Sequence, residues 1–216
     1  MSATLIIGNK NYSSWSLRAW FFLKYHAIPF EEIRIPLYRE DSKQKLLNYS
    51  PSGKVPVLID GETRIWDSLA ILEYLAETRP DTQGWPTQIE ERAVARSLAA
   101  EMHSGFQSLR ANCGMNCRRA PRVKTLPEDT YKDIARIREI WQECRSRSGN
   151  HGPWLLGAFS ILDAMYAPVV LRFHQYQLDA GITEKSYMST VLNHPSIQEW
   201  IKDGQREAEI IQKFED

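Results

Sequence analysis

The sequence predicts a small mixed α/β unit followed by an all-helical unit. In the first eighty residues, short β-branched runs alternate with helix-like runs. The stretch PDTQGWPT (80–87) then interrupts the pattern with two prolines and a glycine, which punctuate structure strongly. Beyond it come long stretches with helical periodicity and no strand signal. Such a run of mixed elements followed by helices reads as two units, with boundaries expected at 1–80, a linker at 81–87, and 88–216.

Each element has its own signal. Residues 4–7 (TLII) are β-branched and apolar, as a buried strand requires. Residues 17–27 present Leu17, Trp20, Phe21 and Leu23 at helical spacing. FEEIRI (30–35) alternates as a second strand, and residues 41–47 form a short amphipathic helix. PVLI (56–59) and TRIW (63–66) flank Asp60-Gly61, a strong hairpin signal. Asp67 then caps a helix that places Leu69, Ile71, Leu72 and Leu75 on its inner side. The order is β-α-β-α-β-β-α. Further helices are expected over 89–111, 128–147 and 160–178, with a last one after Pro195.

Composition narrows the function. Hydrophobic residues make up 43%, enough for a proper core, which rules out wholesale disorder. Lys+Arg and Asp+Glu both number 27, so no overall field favours nucleic acid or an anionic membrane, and any anion site must be local. No run approaches the length of a membrane span, and no basic start leads into an apolar segment; a soluble cytoplasmic protein is expected. Cys113, Cys117 and Cys144 are too few for a disulfide framework, and the Cys113/Cys117 pair has no nearby partner to complete a metal site; none is expected.

Three stretches carry chemistry. NKNYSSWSLRAW (9–20) sets Ser13 and Ser14 where a strand gives way to a helix, a place suited to a cap or to an anion. In SGKVPVLIDG (52–61), Pro56 opens a strand that ought to be central. An ordinary trans proline there and a cis Val55-Pro56 bond with outward-facing Val55 backbone are both consistent with the residues. In WDSLAI (66–71), Asp67 and Ser68 give a carboxylate, a hydroxyl and free N–H groups at a helix start, which serve equally as a cap or as a cradle for a zwitterion.

In this order, the three resemble the thioredoxin-like half of cytosolic glutathione transferases. The resemblance covers nearly the whole chain. FSILDAM (159–165) is similar to that family's buried capping box, with Ser160 as cap and Asp163 three residues on. NYSSWSLR, RAVARSLAAEMHSGFQSL and the SGKVPVLIDG block look most like the zeta class and its bacterial relatives, whose hydroxyl donor is serine.

The resemblance implies a βαβαββα thioredoxin-like domain that binds glutathione as co-substrate and a helical bundle that holds a small electrophile. Lys54, Val55, Pro56, Asp67 and Ser68 would hold glutathione. Aligned without a gap on the zeta pattern SSCSWRVR, the catalytic position falls on Asn11; one extra turn residue brings Ser13 into it. Ser13 is physically preferred as the thiolate donor, with Ser14 as cap or second donor and Tyr12 as a further candidate. The electrophile pocket is expected from Met102, His103, Phe106, Gln107 and Arg110, with Met165, Tyr166, Val169 and Phe173. His103 has no acid partner evident in the sequence, and the basic loop MNCRRAPR (115–122) could attract an anionic co-substrate such as a maleyl compound. A homodimer is implied, with Glu101 near the partner's glutathione. Three activities fit: transfer of glutathione to an electrophile, cis-trans isomerisation of the maleylacetoacetate type, or glutathione binding without turnover. A thiol-disulfide enzyme is excluded, because residues 8–16 contain no cysteine.

Overall fold

The structure, a computed structural model, describes residues 3–79, 81–148 and 151–215. The expected domain ends at residues 1, 80 and 216 lie outside the described residues. The chain runs β1 (Ala3–Ile7), α1 (Ser14–Tyr25), β2 (Phe30–Arg34), α2 (Ser42–Leu47), β3 (Val57–Asp60), β4 (Thr63–Trp66) and α3 (Ser68–Thr78). The strands lie in the order β2-β1-β3-β4. β1 pairs parallel with β2, and both β1–β3 and β3–β4 are antiparallel. The parallel pair needs a crossover helix, which α1 supplies, whereas Asp60-Gly61 closes the β3–β4 hairpin with Gly61 at φ 59°. Leu5 pairs with Leu58 and Leu58 with Ile65, so the central strands turn apolar side chains to one face. The Val55-Pro56 bond at the entry to β3 is cis.

The helices that follow are α4 (Ile89–Ser104), α5 (Gln107–Asn112), α6 (Glu128–Ser148), α7 (Ile161–Gln175), α8 (Ile182–Leu192) and α9 (Pro195–Arg206). The single helix expected over 89–111 is two. Gly105 lies against the Glu101 carbonyl, where a Cβ would come within 2.8 Å, and Phe106 adopts φ 59°, so the chain turns between them. Helix α8 carries no sharp apolar stripe and was not anticipated. At α7 the expected capping box is present: the Ser160 side chain accepts from the backbone three residues on, and Asp163 accepts from the Ser160 N–H at 2.9 Å.

Helix α7 is buried along nearly its whole length and packs against α1, α3 and α4. One continuous core therefore runs from Leu5 and Leu58 of the sheet through Trp20, Phe21 and Phe22 of α1 to Tyr166 and Phe173 of α7. Burying large aromatics across this contact fixes the start of α1 against the C-terminal end of α7.

Candidate active site

The chain leaves β1 through a tight turn in which the Asn9 carbonyl accepts from Tyr12 N (3.1 Å) and Ser13 N (2.8 Å). Ser13 sits at ψ 86°, outside helical geometry, so its Oγ reaches forward and accepts from the Ser16 N–H at 3.3 Å. It also donates to Ser16 Oγ at 2.8 Å, which in turn accepts from Gly8 N at 3.1 Å. The cap is therefore Ser13, not Ser14. Ser14 is the first residue of α1, and its Oγ accepts from Arg172 Nη2 at 3.2 Å. Among the described residues, no group accepts the Ser14 hydroxyl hydrogen.

The other two candidate donors differ: the Asn11 amide Nδ2 has no hydrogen-bond partner among the described residues, whereas the Tyr12 hydroxyl is engaged. Asn11 is fully buried, and its Oδ1 accepts from Arg118 N at 2.8 Å. The Tyr12 hydroxyl donates to the Glu215 carboxylate and accepts from Arg118 Nη2 (2.8 Å) and Ile211 N (3.2 Å). Burial and the bond to Glu215 push its pKa up, away from use as a donor to a thiolate.

A cavity of about 570 Å³ opens over this helix start. Ser13, Ser14, Trp15, Lys54 and Val55 line it from the first domain, and Arg110, Gly114, Met115, Arg172 and Phe214 from the second. Lys43 and Arg39 add two more cations, and no carboxylate lines it among the described residues. Arg39 approaches Glu209 at 3.8 Å, whereas the hydrogen bonds of Arg110 and Arg172 go to carbonyls and to the Ser14 hydroxyl. Arg110 Nε donates to Gly105 O at 2.9 Å and its Nη2 to Met102 O, while Arg172 Nη1 donates to Cys113 O.

Arg18 extends this cationic patch. It is fully buried, with Nη1 3.4 Å from Ser68 Oγ and its Nε without a hydrogen-bond partner. Arg18 and Arg110 both lie over the Trp15 ring, at 4.3 and 4.8 Å from its centre. Burial, then mutual repulsion with Arg110 and Arg172, holds the Arg18 pKa well below its ordinary value; burial also lowers Arg172, to about 10. Arg18 feels Asp67 and Arg110 feels Asp133, whereas no carboxylate among the described residues offsets Arg172, so the cavity around Arg172 is attractive to an anion.

The expected residues divide. Tyr12, Ser13, Ser14, Lys54 and Val55 meet at the cavity, while Pro56, next to Val55, does not line it. Asp67 and Ser68 lie one side chain away, behind Arg18. Asp67 Oδ1 caps α3 through Leu69 N at 2.9 Å, and its Oδ2 pairs with His103 Nε2 at 3.1 Å. His103 thus has the acid partner that the sequence did not reveal, from a residue far back in the chain. Of the electrophile-pocket set, only Arg110 lines the cavity. Met102, Phe106 and Tyr166 are buried in the core, Gln107 lines a neighbouring cavity of about 470 Å³, and His103 faces Asp67. Glu101, expected near a partner's glutathione, holds Arg136 in a two-pronged ion pair at 2.8 and 3.0 Å. The helical lining comes from the ends of α5 and α7 and from the tail, because the break at Gly105-Phe106 turns α5 toward the cavity. Arg172 was legible in one respect: a charge inside the apolar run SILDAMYAPVVLRF needs a reason to be buried. Phe214 had no such signal.

Residues 12–78 match the family of glutathione S-transferase N-terminal domains. The chain is 39% identical over 97 residues to a probable maleylacetoacetate isomerase of Caenorhabditis elegans, a stretch that covers 44% of each chain. It is 39% identical over 100 residues to the maleylacetoacetate isomerase of Rattus norvegicus, covering 44% of this chain and 45% of that one. The chain thus spans about half the length of the curated relatives it matches. Among solved structures, a glutathione transferase homolog from Burkholderia with bound glutathione superimposes with a TM-score of 0.73 at 22% identity, covering 96% of this chain and 100% of that one. A maleyl pyruvate isomerase, a bacterial zeta-class glutathione transferase, does so with a TM-score of 0.72 at 18% identity, over 95% and 100% of the two chains. These two show the shared fold. A stretch that matches glutathione S-transferase N-terminal domains thus sits in a chain with the fold of these two glutathione transferase structures, and the first half is similar in sequence to maleylacetoacetate isomerases.

Proposed function

We propose that the chain is a glutathione-dependent enzyme acting on a small acidic electrophile, with cis-trans isomerisation of a maleyl-type diacid as the favoured reaction and transfer to an electrophile as the alternative. The observation that carries this reading is Ser14, which accepts from the buried Arg172 guanidinium and keeps its own hydrogen for a ligand at the edge of a cavity lined by cations. Accepting a bond from a cation polarises a hydroxyl and makes it the stronger donor. Bound glutathione would supply a sulfur nucleophile for the electrophile's conjugated double bond. Ser14 would donate to that sulfur, and Arg172, Arg110 and the N-terminus of α1 would favour its thiolate form. No proton shuttle is needed.

Lys54 and Val55 line the same cavity and would hold the glycyl and cysteinyl parts of glutathione, with Asp67 and Ser68 at the γ-glutamyl end. The cations left over suit a carboxylated electrophile, in keeping with the isomerase names of the relatives. In this reading residues 1–80 bind glutathione and residues 88–216 receive the electrophile, in a cytoplasmic homodimer. Retention on immobilised glutathione, followed by turnover of a cis-conjugated diacid without net loss of thiol, tests it. Retention without turnover of any electrophile leaves a binding protein; failure to be retained ends the reading.

A further inference from the structure

The turn that aims Ser13 and Ser14 is held from the far end of the chain. Glu207 follows α9, and its carboxylate accepts two successive backbone N–H groups: Oε1 from Lys10 at 2.7 Å and Oε2 from Asn11 at 3.1 Å. Its side chain is only 6% exposed. Around it the grip is close. Gly204 packs so near that a Cβ would lie 2.9 Å from Asn11 N. Lys10 Nζ is tied to Asp203 at 2.8 Å and to Glu32 at 2.9 Å. On the other side, Cys117 N donates to Asn11 O at 3.1 Å, and Arg118 Nη1 reaches the Glu207 carbonyl at 2.6 Å.

We infer that Glu207 is a positioning residue of the site: by clamping the Lys10 and Asn11 N–H groups it sets the aim of the Ser14 hydroxyl. Glu207 does not line the cavity, so it acts only through the turn. A carboxylate suits the task because it offers two acceptors and no donor, whereas an amide of the same shape offers one of each. Bonds from backbone N–H to a buried carboxylate are also about twice as strong as neutral ones. Tyr12, Ser13 and Ser14 all line the cavity, but the Tyr12 hydroxyl hydrogen goes to Glu215 and that of Ser13 to Ser16, whereas Ser14 only accepts, from Arg172. The clamp therefore fixes the turn that carries these hydroxyls, and its role for Ser14 rests on the reading given under Proposed function.

Glu207→Gln tests it, because the shape is kept while one N–H meets an NH2 group. Thiolate absorbance of bound glutathione is followed against pH in wild type and variant. The expected result is a thiol pKa raised by about one unit, a kcat lowered about tenfold below the free thiol's pKa of about 8.5, recovery above it, and glutathione affinity changed by less than about twofold. Amide exchange at Lys10 and Asn11 should quicken by about tenfold or more, with β1 and α7 unchanged. Gly204→Ala, which presses on the same turn without touching the carboxylate, should give the same signature. Faster exchange with an unmoved thiol pKa overturns the inference, as does wild-type behaviour in both variants. If the wild type binds no glutathione, the functional reading fails instead, and a crystal structure of Glu207→Gln then decides the clamp: a retained Ser14–Arg172 bond overturns it, a lost one supports it.

Discussion

The starts of α1 and α3 are built from the same parts and lead to different ends. Each follows a strand, and each is capped by a side chain that accepts a backbone N–H a few residues on: Ser13 from Ser16 and Asp67 from Leu69. Each has a serine immediately after the cap. At α1 that serine, Ser14, meets a cation from the helical domain and faces open space. At α3 it is Ser68, buried under Arg18, and the capping carboxylate beside it is drawn to His103. Cap chemistry is thus common to both, and what separates the two serines is the element packed over each. Helix α7 delivers Arg172 to one, and α1 itself delivers Arg18 to the other.

Removing the cation should break the contrast most sharply. Arg172→Met takes away a charged donor to Ser14, and such a bond is worth about 1.5–3 kcal/mol, so turnover below the free thiol's pKa should fall roughly ten- to hundredfold. Folding stability should change less, because an uncompensated buried charge leaves with it. Steady-state kinetics paired with thermal unfolding separate the two effects; equal losses in both would mean that Arg172 is merely structural.

The two adjacent serines sharpen it next. Ser14→Ala should raise the bound thiol's pKa by about one to two units and leave the melting temperature nearly unchanged. Ser13→Ala should do the reverse, with about 1 kcal/mol of stability lost as a missing cap and the thiol pKa nearly kept. Thiolate titration of both proteins reads the result, and an inverted pattern would return the donor role to Ser13.

The smallest effect belongs to α3. Asp67→Asn keeps a good capping residue, so stability near neutral pH should change by only a few tenths of a kcal/mol. Its signature is in acid. Burial lowers the folded pKa of His103, and Asp67 opposes that shift. The unfolded chain therefore binds the His103 proton more readily than the folded one, and stability is lost as pH falls below about 6.5. Without the Asp67 charge the folded pKa drops further and that loss steepens. Denaturant unfolding at several pH values checks it; an identical acid profile would show that the pair carries no weight.

These contrasts divide what is local from what is not. The order of elements, the Asp60-Gly61 hairpin, the Ser160/Asp163 capping box and the presence of a hydroxyl at the first helix were legible in the sequence. Each depends on neighbours two to four positions apart, where strand alternation, helix periodicity and cap geometry operate. The break of the long helix at Gly105-Phe106 was harder to read, since its cause is a close approach to the Glu101 carbonyl rather than a proline. Which serine caps and which meets Arg172 could not be read at all. Ser13 and Ser14 differ by one position in sequence, but the hydrogen bond that distinguishes them spans 158 residues, and the carboxylate that clamps their turn lies 196 and 197 residues away. The sequence by itself determined that an anion-favouring helix start would exist after β1. Only the tertiary structure decided which hydroxyl meets Arg172 and which cations surround it, because the burial of Arg172 is a property of packed surroundings and not of any local spacing.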